Sequence, residues 1–338
     1  MGKLLAPVNG LDAGARLIAA GAEELYMGFH DDEWERTFGA QASLNRMSGF
    51  GQSANALSFE ELLEEAARLT AAQAPNASSG TTAQPTLFCV FNAVYYTTAQ
   101  VRFIVEHYLG PLAKAGFAGI IVSGTALCAS AHQLGLTTVA SVMMHVYNTD
   151  IARQLAQAGI DRVIMPRDLP LADIEALVTA TPELQYEVFF MRNGCIFADS
   201  HCLGLHFSDR PALCRALRDA ESYEQYSSFG YELACGTAEQ HELNHQVYCE
   251  RFHLNTCGLC ALYRFEQLGI NAYKIVGRSD DIDDLCADVA LCAENLAIAH
   301  TARSESDYLQ AMARPAGILQ LCANEGLSCY YPQIRFQQ

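Results

Sequence analysis

The stretch RVIMPRDLPLADIEALVTATPELQYEVFF, residues 162–190, holds two β-rich runs, RVIMP (Arg162–Pro166) and YEVFF (Tyr186–Phe190), separated by a segment of helical period. A strand, a helix and a second strand at this spacing make one crossover unit, and repeated units of this kind imply a parallel sheet. The alternation extends in both directions. Toward the amino end lie LLAP (Leu4–Pro7), ELYMGF (Glu24–Phe29), TLFCVFNA (Thr86–Ala93), GIIVS (Gly119–Ser123) and TTVAS (Thr137–Ser141), and beyond it YKIVG (Tyr273–Gly277), which brings the total to eight. In SFEELLEEAARLTAA, residues 58–72, Phe59, Leu62, Leu63, Ala66 and Leu69 recur at the helical period behind Ser58, with Glu61 three residues on as its capping-box partner. Most of the strand runs lack polar alternation, as expected where helices cover one face and a packed interior the other. Eight such strands fit a closed, TIM-barrel-like (β/α)8 fold, with a doubly wound open sheet as the second choice.

Two insertions break the rhythm. The first runs from His30 to Leu57; the second, far longer, starts at Met191, where the seventh strand ends, and reaches about Leu262. The second contains seven cysteines: Cys195, Cys202, Cys214, Cys235, Cys249, Cys257 and Cys260. Loops after the carboxyl ends of barrel strands build active sites, so these thiols fall where chemistry is expected. The expected organisation is one barrel domain over residues 1–300, including the cysteine-rich insertion 191–262, and a tail, 301–338, packed on it. Residues 281–299 read as a helix, and PNASSGTTAQP (Pro75–Pro85) as a polar surface loop.

Thirteen cysteines in a chain whose first residues, MGKLLAPVNG, lack the layout of a secretion signal argue for a reducing, cytoplasmic setting, and the odd number argues against a full disulfide framework. Cys89, Cys286 and Cys292 sit in apolar or alanine-rich contexts and read as core residues. No apolar run approaches the ~20 residues of a membrane span. The formal charge is −17 with only 21 basic residues, which disfavours a nucleic acid partner, since phosphate binding needs clustered Lys and Arg. A small-molecule substrate is the remaining expectation.

Cys195 and Cys202, with Cys257 and Cys260 (CGLC) about 55 positions later, are candidates to converge on one centre. Thiolates select zinc or iron–sulfur clusters because both are soft acceptors. A structural zinc usually takes two short pairs, and the wider spacing of the first pair leans toward a cluster. The plain alternative is a set of buried cysteines in an irregular loop. A competing signal is HELNH: on a helix, His241 and His245 share a face for zinc, with Glu242 as base and Glu266 downstream as a third ligand. Its plain alternative is a polar helix facing solvent. There is no GxSxG elbow, no phosphate loop and no complete dinucleotide fingerprint.

The segment EVFFMRNGCIFADSHC (Glu187–Cys202) resembles the signature of the U32, or collagenase-like, peptidase family, in which a strand opening on glutamate leads to a glycine, a cysteine and a second cysteine further on. LLAPVNG (4–10), GAEELYMG (21–28), FNAVYY (91–96), RVIMPRDL (162–169), CGLCALYRFEQLGINAYKIVGR (257–278) and CYYP (329–332) agree with it in order. The resemblance implies a barrel-like fold and, beside the peptidase label, oxygen-independent hydroxylases of ubiquinone biosynthesis and of RNA that carry a 4Fe-4S cluster on four cysteines, with prephenate as an oxygen source. Carried over by position, Cys195 and Cys202 match the first two ligands and Cys260 the fourth. Cys235 is the best-placed third, with Cys214 and Cys249 as alternates, and Cys257 is an alternate to Cys260. Ser200 and His201 stand where the family has a glycine before the second cysteine, and the extra carboxy-terminal domain of the RNA-modifying members is not evident, which weakens transfer of any one substrate.

The expected function is therefore an iron–sulfur enzyme acting on a small aromatic or quinone-like molecule. The alternatives are a zinc or U32-type peptidase, and a cluster-bearing partner of a homologous subunit. Asn92, His145, Arg167 and Arg278 lie near carboxyl ends of strands and are the candidate pocket groups. Arg167 and Arg278 would take a carboxylate, such as that of a prephenate-like donor, in planar two-bond pairing. For each of the four, a structural cap or ion pair at the barrel rim is the plain alternative.

Overall fold

The computed structural model describes residues 1–39, 42–46, 54–71, 84–195, 243, 256–314 and 329–334. Eight parallel strands close into a barrel in sequence order: β1 Lys3–Pro7, β2 Glu24–Met27, β3 Thr86–Phe91, β4 Gly119–Val122, β5 Thr137–Ala140, β6 Arg162–Ile164, β7 Gln185–Met191 and β8 Ala272–Ile275. Closure is direct, with Lys3, Leu4 and Leu5 of β1 in register with Ala272, Tyr273 and Lys274 of β8. The closed (β/α)8 fold expected from the sequence is therefore the one observed, and all eight runs are strands.

Helices alternate with the strands: α1 Ala13–Ala20, α2 Asp32–Phe38, α3 Phe59–Ala71, α4 Thr98–Phe103, α5 Gly110–Lys114, α6 Cys128–Gln133, α7 Thr149–Gln157, α8 Leu171–Ala180, α9 Leu262–Leu268, α10 Ile282–Thr301 and α11 Glu305–Ala311. The capping box ahead of α3 forms as read. The Ser58 amide donates to Glu61 Oε2 at 2.8 Å and the Glu61 amide to Ser58 Oγ at 3.2 Å, bonds that hold the Glu61 carboxyl below its ordinary value. Between α4 and α5 the chain winds as a π-helix, Ile104–Leu109, which sets Tyr108 into an aromatic cluster with Phe29, Trp34, Phe59 and Phe91. Tyr108 also donates to Asp31 Oδ2 at 2.7 Å. No helix among the described residues is long and apolar enough to cross a membrane.

The packed lumen contains charged side chains as well as apolar ones. Glu24 of β2 takes two bonds from Arg162 of β6, at 2.5 and 3.1 Å, and these strands stand on opposite sides of the cylinder, so the pair crosses it. Arg162 lies 3.7 Å from Glu187 of β7, which accepts from Lys274 of β8 at 2.8 Å. Lys274 in turn sits 3.8 Å above the Tyr26 ring. Burial opposes charge on Arg162, yet Glu24 and Glu187 together lift the guanidinium above its ordinary value; for Lys274, burial prevails and pulls the ammonium down. Two acids and two bases thus neutralise one another inside the barrel.

Candidate functional site

The strand ends and the loops after them form the mouth of the barrel. Past β8, Arg278 is buried; its Nη1 donates to Asn55 Oδ1 and its Nη2 to Asn45 Oδ1, both at 3.2 Å, and Asn45 Nδ2 donates to Asn55 Oδ1 at 2.9 Å. Both asparagines come from the first insertion, which is fastened at its ends. The His30 amide donates to Leu57 O at 3.0 Å, and His30 Nδ1 lies 2.9 Å from Asn55 O. Gly28, at the end of β2, makes the arrangement fit, because a Cβ there would overlap the Arg278 guanidinium and the Asn55 carboxamide. Burial pushes the Arg278 guanidinium down to about 10. Tyr26, just before this glycine, donates its hydroxyl to Ile275 O at 3.2 Å, and burial raises its phenol well above the ordinary range.

The other candidate groups have different surroundings. Asn92 is a tie: its Oδ1 accepts the Arg46 amide at 3.0 Å and its Nδ2 donates to Ser141 Oγ at 3.1 Å, joining the first insertion to the ends of β3 and β5. Arg167, past β6, lays its guanidinium 3.8 Å over the Phe189 ring. His145 adopts a left-handed backbone, φ 51°, and among the described residues its buried Nδ1 has no hydrogen-bond partner. Arg278 and Arg167 thus reach the same mouth from β8 and β6, while Asn92 acts within the frame.

The end of β7 is held from three sides. Arg192 and Asn193 are both left-handed, φ 61° and 51°, a cost of order 1–3 kcal/mol each that surrounding bonds must offset. Arg192 reaches Asp280 at 3.7 Å, Asp284 at 3.5 Å and Asp288, its amide donates to Thr256 O at 2.8 Å, and its carbonyl accepts from the Tyr330 hydroxyl. Asn193 Nδ2 donates to Asp280 Oδ2 at 3.3 Å. Cys195 stands exposed two residues beyond Asn193, Cys257 bridges Met191 in antiparallel sense, and Cys329 bridges Cys257 in parallel sense. Cys260 follows in the turn Leu259–Ala261, partly exposed.

Donor type suits a thiolate-bound centre at this end of β7. Among the described residues alone, no three His, Cys, Asp or Glu side chains group closely enough to hold a metal ion. Cys202, Cys214, Cys235, Cys249, His241, Glu242 and His245 lie outside the described residues. Glu266 is engaged elsewhere, accepting from the Gly2 amide at 2.8 Å and the Tyr273 hydroxyl at 2.6 Å, with His300 Nε2 at 2.9 Å.

Sequence reasoning missed Asn45, Asn55, Gly28 and Cys329. The first two lay in a segment noticed only as an interruption. Cys329 lies in CYYP, where nothing local signals its bridge to Cys257, 72 positions earlier.

A sequence model described as peptidase family U32 matches residues 10–331. No curated protein matches the sequence. Among solved structures, the U32 peptidase Mk0906 aligns with a TM-score of 0.44 at 10% identity over 82% of this chain and 93% of that one. N-acetylneuraminate lyase from Fusobacterium nucleatum aligns at 0.44 and 10% over 92% and 79%, and Yersinia pestis dihydropteroate synthase at 0.37 and 12% over 85% and 90%. Alignments this loose carry no reaction across, since barrels of one design host many chemistries.

Proposed function

The chain belongs to peptidase family U32, and from that premise we propose an iron–sulfur enzyme whose 4Fe-4S cluster lies at the barrel mouth, in the insertion after β7. Cys195, Cys202, Cys235 and Cys260 would hold it, with Cys214 and Cys249 as alternates for the third position and Cys257 for the fourth. The observation that supports the reading most is that Cys257 and Cys329, remote in sequence, are joined by backbone bridges to the end of β7, four residues before Cys195. When bound, such a cluster would relay electrons or bind the oxygen donor in an oxygen-independent hydroxylation, a two-electron oxidation of the substrate, or in a related redox step on a small aromatic or quinone-like molecule.

The protein's own groups would bind and orient. Arg278 and Arg167 present planar guanidinium groups to a carboxylate of a prephenate-like oxygen donor. Arg167 holds its guanidinium 3.8 Å from the centre of the Phe189 ring, a cation–π contact that would help to position it. Tyr26, kept protonated by burial, retains its hydroxyl proton on Ile275 O and leaves the wall of the pocket neutral. The cytoplasm, where thiols stay reduced, suits exposed Cys195.

Anaerobic purification, an absorption spectrum and an iron, sulfide and zinc assay test this. Brown protein with iron and sulfide in equal amounts, about four each per chain, supports it, and Cys195→Ser or Cys202→Ser should lose both. Colourless protein with one zinc removes it; peptide cleavage abolished by His241→Ala and His245→Ala yet intact in Cys195→Ala would instead establish a zinc peptidase. A cluster without turnover until a homologous subunit is added would make the chain the cluster-bearing partner.

A further inference from the structure

Among the described residues, four cationic side chains are buried at or inside the barrel, and their partners differ in kind. Arg162 has Glu24, Lys274 has Glu187 and Arg192 has three aspartates. Arg278, 6% exposed, has two neutral carboxamide oxygens, and among the described residues no carboxylate pairs with it. Residues 47–53, MSGFGQS, between the segments that bear the two asparagines, contain no acid either. Arg46 adds a further positive charge, which depresses the Arg278 guanidinium beyond the effect of burial.

A buried charge without a counter-ion is costly, and an amide can hold a guanidinium in place without neutralising it. Aspartate has the shape of asparagine and would neutralise it, so amides at both positions leave the charge available. The cradle is built rather than incidental. Tyr96 donates its hydroxyl to Leu44 O at 2.5 Å, Asn92 holds the Arg46 amide, His30 holds Asn55, and Gly28 clears the space for the guanidinium.

We propose that Arg278, cradled by Asn45 and Asn55 of the first insertion, is an oxyanion site at the barrel mouth that takes a carboxylate or phosphate group of the ligand. The inference rests on the pocket placement given above, and makes the two asparagines positioning residues that fix the guanidinium plane. It does not require the cluster.

The test uses the full chain purified anaerobically, with malonate and inorganic phosphate as probes and chloride at matched ionic strength as the control. Titration calorimetry and thermal unfolding should show saturable binding and stabilisation by malonate or phosphate beyond chloride. Arg278→Gln should weaken it about tenfold or more, the loss of one charge-assisted pair. Asn55→Asp keeps the bond geometry and installs an internal counter-ion, so it should raise the unfolding midpoint in anion-free buffer and abolish the anion response. A malonate preference identifies the ligand group as a carboxylate, a phosphate preference as a phosphate ester. No response beyond chloride in the unsubstituted chain, or anion affinity unchanged in Asn55→Asp, overturns the proposal, and the second arm decides even if Arg278→Gln fails to fold. Iron and sulfide measured on the same samples report separately on the cluster.

Discussion

Replacing Glu24 by Gln removes one charge from the barrel lumen while keeping the side-chain shape. Glu24 is fully buried and accepts both bonds from Arg162, with Lys3 at 3.5 Å. After substitution, Arg162 retains Glu187 at 3.7 Å, a carboxylate already given to Lys274 at 2.8 Å, so one buried positive charge is left over. At a separation of about 3 Å and an effective dielectric of about 20, the lost attraction is about 5–6 kcal/mol. Part is regained because Glu24 no longer has to be desolvated, which leaves the about 3–5 kcal/mol found when one partner of a buried pair is removed. With a urea slope of about 2–3 kcal/mol/M, the midpoint should fall by about 1–2 M. The assay is urea unfolding followed by fluorescence of Trp34, the only tryptophan, which lies buried in the aromatic cluster. Adding Arg162→Met to Glu24→Leu removes both charges and leaves Glu187 with Lys274, so this double variant should recover most of the loss. A midpoint shift worth less than about 1 kcal/mol in Glu24→Gln, or no recovery in the double variant, would refute the cross-lumen account.

Gly28→Ala should cost about 1–3 kcal/mol in urea unfolding, since its methyl group must displace the Arg278 guanidinium or the Asn55 carboxamide; malonate titration of the same variant should show weaker binding. Arg192→Ala leaves Asp280, Asp284 and Asp288 facing one another without their cation. The expected loss is about 2–3 kcal/mol, below the figure for a fully buried pair because Asp284 is largely exposed and solvent screens it. Iron content of Arg192→Ala should fall as well, with far-UV circular dichroism retained, because the backbone turn that carries Cys195 loses its brace; iron content equal to that of the unsubstituted chain would show that the turn does not position the thiol.

The eight strands were legible because each is a short apolar run, most of them rich in β-branched or aromatic residues, bounded by turns and followed by helical period, and the signal survives without knowledge of neighbours. The Ser58–Glu61 box was legible for the same reason, as a contact within three residues. The lumen was not. Glu24 and Arg162 are single charges in apolar runs, separated by 138 positions, and only closure of the barrel sets them opposite each other. The same holds for the site. Arg278 could be placed at a strand end from sequence, but its companions Asn45 and Asn55 lie more than 200 positions away. Asn92 could be placed at a strand end from sequence, but its bonds to the Arg46 amide and Ser141 Oγ depend on where those distant residues are.

The barrel mouth carries two kinds of side chain on adjacent strands. Cysteines stand past β7, and past β8 stands a guanidinium with which no carboxylate pairs among the described residues, the first insertion reaching over from β2 to hold it. A chain of formal charge −17 repels small anions at long range, so the field of the whole molecule cannot be what draws an anion to this mouth. Attraction must come from a charge that is strong only at short range, and burial of Arg278 among neutral amides provides that: with little water to screen it, the guanidinium acts at full strength on a group that touches it and faintly on one a Debye length away. An anion that lacks the shape to enter gains nothing and still meets the repulsion. Selection by fit follows from setting a local positive charge in a negative molecule, and it explains why the first insertion supplies asparagines at this place in a chain otherwise rich in aspartate and glutamate.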